Sequence, residues 1–178
     1  MHHSATRLTL IAAMAVSALA LRAQAGPTAA VPLEPIGAIL DAFRTHQVVA
    51  LGEGAHGNER GHAFRLTLLR DPRFAATVND IVVEFGSARY QDVMDRFTRG
   101  ERVPLEELRH VWEDTTGPNP AWDRPIYEEF FGAVRDINRP LPESRRIRVL
   151  RGDPPIDWER VTSPADYRTW AMQRDRHA

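Results

Sequence analysis

The chain has 178 residues, 43% of them apolar and 26% charged, with a formal net charge of −1. That length fits one domain, and the balance is that of an ordinary soluble globular protein. It lacks the basic excess typical of nucleic-acid binders. With no cysteine, it excludes disulfides, thiolate nucleophiles and cysteine-held zinc or iron–sulfur centres.

In chain order, Arg7 precedes an apolar run from Leu8 to Leu21, and Ala23-Gln24-Ala25 follows with small residues at alternate positions. This is the three-part pattern of a secretory signal peptide, with cleavage expected after Ala25. The run is short of the roughly 20 residues that span a bilayer. The expected product is therefore exported, periplasmic or extracellular, with no membrane attachment after cleavage. Residues 1–25 read as leader, 26–35 as a lead-in segment and 36–178 as the domain.

Ile36, Ile39, Leu40 and Phe43 recur at helical spacing after Pro35, which predicts an opening amphipathic helix. Gln47 to Leu51 is a short β-branched apolar run ending at glycine, as in strands buried on both faces of a parallel sheet. A helix is expected over Asn58–Arg70, stopped by Asp71-Pro72, and a second buried strand over Ile81–Phe85. Helices follow near Arg89–Phe97, Leu105–Trp112 and Tyr127–Ile137, with a proline-rich loop at Thr115–Pro125. Ile147–Leu150 reads as a third strand, and a last helix starts at Ser163-Pro164. Strands alternating with helices predict an α/β fold, a mostly parallel sheet flanked by helices. Three strands are few against the usual five or six, and the final helix runs toward His177 with no cap. The expectation is a domain incomplete at its C-terminus.

The chemistry concentrates in Leu51-Gly52-Glu53-Gly54-Ala55-His56-Gly57, at the C-terminal end of the first expected strand. Open α/β sheets bind ligands there. Glu53 and His56, three residues apart in a tight turn, can converge, and a carboxylate facing an imidazole prepares a general base. The plainer alternative is a glycine-rich turn with two solvated side chains. Glu84, at the end of the second strand among apolar residues, needs a partner; it is a site carboxylate, or a strand-end residue that caps a nearby helix or pairs with an arginine. Asp153 is a pocket contact or a turn former before Pro154. His62 and Arg65 share a stripe with Glu59 on the following helix. Arg65 can meet an oxyanion, and His62 is a substrate contact or a surface residue. There is no His-Glu-x-x-His metal motif, no Gly-x-Ser-x-Gly nucleophile elbow and no phosphate loop.

The stretch Val48 to Gly57 resembles the Gly-Glu-Ala-Thr/Ser-His-Gly signature of the erythromycin esterase-like family. Arg65 stands nine residues after the histidine, as that family's arginine does, and Glu84 in Val82-Val83-Glu84 matches its second active-site glutamate. Arg174 to Ala178 is similar to the start of the family's Arg-Asp/Glu-x-x-Met-Ala helix, with His177 in the methionine place. Gly54-Ala55 departs from the usual Ala-Thr or Ala-Ser, and a further family histidine has no counterpart before Ala178.

The resemblance implies hydrolysis of a small-molecule ester or lactone by water that His56 activates. Glu53 or Glu84 then orients the ring, Arg65 stabilises the oxyanion, and Asp153, His62 and His177 line the substrate pocket. It implies no organic cofactor; no metal triad is read from the spacing, and the charge balance gives no reason to expect a nucleic-acid partner. Two other classes stay open: a metal-dependent hydrolase using the same carboxylates, and a non-catalytic exported binding protein or inactive remnant.

Overall fold

The computed structural model describes residues 31–174, so the leader, its cleavage site and His177 lie outside the described part. The first helix, α1 (Pro35–Ala42), turns Ile36, Ile39 and Leu40 toward the core, with Phe43 just beyond its end. The expected strand Gln47–Leu51 does not form. Val48 is 81% exposed and Leu51 50% exposed, and none of these residues pairs in a sheet. Branched composition expresses a fit to a neighbouring pleated surface, and no strand runs alongside to supply one.

The next helix, α2 (Glu59–Arg70), begins where the sequence signals it. The Asn58 side chain accepts hydrogen bonds from the Arg60 and Gly61 amides, satisfying donors that have no partner inside the helix. Its Leu66 and Leu69 are buried, and Asp71-Pro72 ends it, since proline cannot continue the ladder. A single turn, α3 (Phe74–Thr77), leads into β1 (Asp80–Ser87). Then come α4 (Gln91–Thr98), α5 (Leu105–Glu113), α6 (Pro125–Asn138), β2 (Arg148–Asp153) and α7 (Pro164–Ala171). Ser163 caps α7, with Pro164 in its first turn. No helix among the described residues is long and apolar enough to cross a membrane.

The fold mixes helix and strand around a two-stranded parallel sheet of β1 and β2. Parallel neighbours need a long crossover, here supplied by α4, α5 and α6. The pairing runs Asp80 to Arg148 through Val83 to Arg151, then breaks register before Ser87 meets Asp153. One face is covered: α5 packs on β1 and α4 on β2, burying Val83 and Val149. The other face is open, and Val82 is 62% exposed. The expectation that both strand faces are buried fails, because these helices cover one side only.

Asn138, 2% exposed at the end of α6, ties the crossover to β2. Its side-chain amide donates to the Thr98 and Ile147 carbonyls, and its carbonyl accepts from the Ile147 amide. One side chain thereby satisfies three buried backbone groups, each costing about 1–3 kcal/mol if left unpaired. Beneath it, Phe130, Phe131 and Val134 of α6 join Val111 and Trp112 of α5 in the apolar core.

Candidate functional site

Residues 52–57 form an irregular loop before α2, and two glycines in it face open space. The Glu53 carboxylate bridges two cationic or polar groups: Oε2 lies 3.0 Å from His56 Nδ1 and Oε1 lies 2.9 Å from Arg65 Nη1. Burial pushes the Glu53 carboxyl up, but the hydrogen bonds from His56 and Arg65, reinforced by charge, outweigh it and hold it below the usual value. Glu53 is thus an anion that accepts from both neighbours. A carboxylate accepting at Nδ1 requires the proton on that nitrogen, which leaves the lone pair on Nε2. His56 keeps 39% of its side chain exposed, so water reaches the ring.

A segment that reads from sequence as connecting loop builds the other wall. Pro120–Asp123 is a short 3-10 helix capped by Asn119, and its Trp122, 6% exposed, places its ring 4.5 Å from the His56 imidazole. Trp122 Nε1 donates to the Gly117 carbonyl. It also stacks with Phe85 from β1 and meets Tyr127 of α6 edge-on. The imidazole therefore rests on the end of an aromatic series rising from the core.

Gly57 locks the loop. Its φ of +72° is a left-handed conformation that side-chain-bearing residues adopt only at a cost. Its amide donates to Tyr127 Oη at 3.1 Å, and its carbonyl accepts from Arg124 Nη1 at 3.2 Å. Burial raises the Tyr127 hydroxyl above its ordinary range, with the Glu53 charge adding to the effect, so the phenol stays neutral. A Cβ at position 57 would sit 2.8 Å from Arg124 Cδ and 2.9 Å from its Nε. Glycine is what lets the guanidinium lie across the loop.

The remaining sequence candidates stand elsewhere. His62 is not on the surface: it is 4% exposed and turned toward α6, with Nε2 3.0 Å from Glu129. The three-residue stripe with Arg65 is real on the helix, but the packing of α6 claims His62 while the loop claims Arg65. Glu84 is 60% exposed and pairs with Arg174 at 2.8 Å. It alternates with Val83 and Phe85, so it points off the open face of the sheet, away from the aromatic series. Asp153 is not a turn residue; it is the last residue of β2 and 1% exposed. It accepts from the Thr116 amide and hydroxyl and from Arg174 Nε at 3.1 Å. Arg174 thus joins Glu84 and Asp153 in a second cluster, to which Tyr167 adds a hydrogen bond on the Thr116 carbonyl.

Trp122, Arg124 and Tyr127 are the residues that sequence reasoning passes over. The available signal was Trp-Asp-Arg-Pro-Ile-Tyr, aromatic and cationic residues at a helix start, within a stretch whose prolines and glycine read as connection. No protein-family model, curated protein or solved structure matches this chain.

Proposed function

We propose that the protein hydrolyses a small-molecule ester or lactone, with His56 as the general base that activates water. The observation that carries the reading is the Glu53–His56 contact, with Arg65 on the second carboxylate oxygen. In the proposed reaction Nε2 of His56 takes a proton from water, and the resulting hydroxide attacks the carbonyl carbon. The carbonyl π electrons move to oxygen, giving a tetrahedral oxyanion. Collapse of that species breaks the bond to the alkoxy oxygen, which leaves with the proton returned from Nε2. Glu53, kept ionised, stabilises the imidazolium formed between these steps. The resemblance of Gly52-Glu53-Gly54-Ala55-His56-Gly57 to the erythromycin esterase-like signature supports the same chemistry.

Arg65 supports Glu53 directly, so its part in this reading is to fix the carboxylate. Glu84 and Asp153, held by Arg174, have no step in it. Export belongs to the proposal as well, resting on Arg7 through Ala25, and the mass of the native N-terminus tests it.

The test of the chemistry is a screen of the purified protein against p-nitrophenyl esters and simple lactones. With any substrate turned over, His56→Ala lowers kcat by about 100-fold or more, the scale of general-base loss. Glu53→Gln is also damaging, and chelators leave the rate intact. Full activity in His56→Ala rejects the mechanism, and loss of activity on chelation moves the assignment to a metal-dependent hydrolase.

A further inference from the structure

Two arginines flank the Glu53–His56 pair, and their electrostatic circumstances differ. Arg65 gives Nη1 to Glu53 at 2.9 Å, so its charge is met by a carboxylate. Arg124 makes no ion pair among the described residues; its one hydrogen bond goes from Nη1 to the Gly57 carbonyl. The side chain is exposed, yet it is anchored, lying on the Cβ-free surface of Gly57. Arg124 is also the N-cap residue of α6 by position, without a side-chain cap, and stands at the positive end of that helix dipole. An uncompensated cation is therefore held one residue from the base, with two guanidinium nitrogens free of protein acceptors.

We propose that Arg124, rather than Arg65, is the cation that contacts the negative charge of the substrate or of its tetrahedral intermediate. This rests on the hydrolase reading for its catalytic part, and on geometry alone for its anion-binding part. Guanidinium suits the task because its planar fork offers two parallel donors to two oxygens on one centre. The water that Nε2 of His56 deprotonates adds to the same carbon whose carbonyl oxygen gains charge. A donor anchored on the Gly57 carbonyl rests against the loop that carries the base. The Arg65 charge is already met by the Glu53 carboxylate, whereas Arg124 meets only a backbone carbonyl and keeps its full charge for a ligand. The ligand class that follows is a tetrahedral or planar oxyanion: a carbonyl oxygen developing charge, or a carboxylate on the substrate.

Methylphosphonate, a small tetrahedral anion, probes this without turnover. Titrated into the full chain, it is expected to shift the Gly57 amide and the Trp122 indole N–H signals saturably. Arg124→Gln lowers that affinity by about 10-fold or more, the scale of a charge-assisted hydrogen bond. Arg124→Lys keeps part of it, and Arg139→Gln, at the opposite end of α6, keeps all of it. Absence of saturable binding, or equal binding by Arg124→Gln, overturns the assignment. On any ester that the wild type hydrolyses, Arg124→Gln lowers kcat by about 100-fold with little change in KM, and Arg124→Lys recovers part of the loss. An unchanged kcat overturns the catalytic part. If methylphosphonate binds through Arg124 and no ester is turned over, the anion contact stands and the hydrolase reading falls.

Discussion

Arg151 is a charge in the wrong place for stability, and replacing it with methionine is expected to strengthen the fold. The residue is 5% exposed at the centre of the covered face of β2, and none of its three guanidinium nitrogens has a hydrogen-bond partner. Burial drags the guanidinium well below its ordinary value, down to about 9, with the Asp95 charge opposing the fall only in part. At neutral pH such a displacement corresponds to about 5 kcal/mol carried against the charged form. The Phe131 ring, 4.8 Å from Arg151 Cζ, returns about 2 kcal/mol. Methionine keeps the apolar stem, lies against Gly86 and sets a sulfur near the same ring. The expected net gain is about 3 kcal/mol, or roughly 6–12 °C in Tm for a domain of this size. Urea unfolding at pH 7 measures it as a higher midpoint with unchanged slope. The sign with pH follows from a depressed folded value. The folded state holds fewer protons than the unfolded state from about 9 up to the ordinary arginine value, so the wild type recovers stability as pH rises through that window. The advantage of Arg151→Met therefore shrinks at pH 10. A midpoint lowered by about 1 kcal/mol or more at pH 7 would refute the reasoning, because it would mean that the guanidinium has an anionic partner in solution.

Gly57→Ala forces a left-handed φ on alanine and drives a methyl against Arg124, costing about 1–2 kcal/mol. Its readout is loss of hydrogen-exchange protection at the Gly57 amide, with any ester turnover falling alongside; retained protection rejects the packing described. Acid weakens the same loop. Glu53 has a lowered folded value, so its contribution is complete above its unfolded value and is lost as pH falls through the folded one. Asp71, held at about 2 by the Arg73 fork, loses its contribution between about 3.8 and 2 in the same direction. Trp122 fluorescence, followed in a Glu53→Gln comparison, should change at acid pH in the wild type and not in the variant.

Local signals in the sequence carried a good part of the fold. Asn58 ahead of α2, Ser163-Pro164 ahead of α7 and Asp71-Pro72 after α2 act through hydrogen bonds and ring geometry within a few residues, so they can be read without knowing the tertiary structure. Gln47–Leu51 fails for the converse reason. Its branched residues are compatible with a strand, but strand formation is decided by a neighbour many residues away. Asp153 shows the same dependence: Gly152-Asp153-Pro154-Pro155 looks like a turn, yet the Thr116 amide and hydroxyl hold the carboxylate at the end of a paired strand.

At the site, the motif brought Glu53 and His56 together because three residues of loop suffice, and Arg65 reaches them from one helical face. What it could not convey is the support from far along the chain. Gly57 is fixed by Tyr127 and Arg124, about seventy residues later, and the imidazole is backed by Trp122. Those three side chains explain why an exposed, glycine-rich loop holds one geometry. Tyr127 consumes the Gly57 amide, Arg124 consumes its carbonyl, and Trp122 blocks one side of the ring. The glycines supply the reach of the loop, and α6 supplies its order. A base oriented by Glu53 on one side and walled by an indole on the other is open to water only along the remaining edge. Arg124, anchored on that loop with its charge unmet, is then the group that a substrate oxygen encounters beside the base.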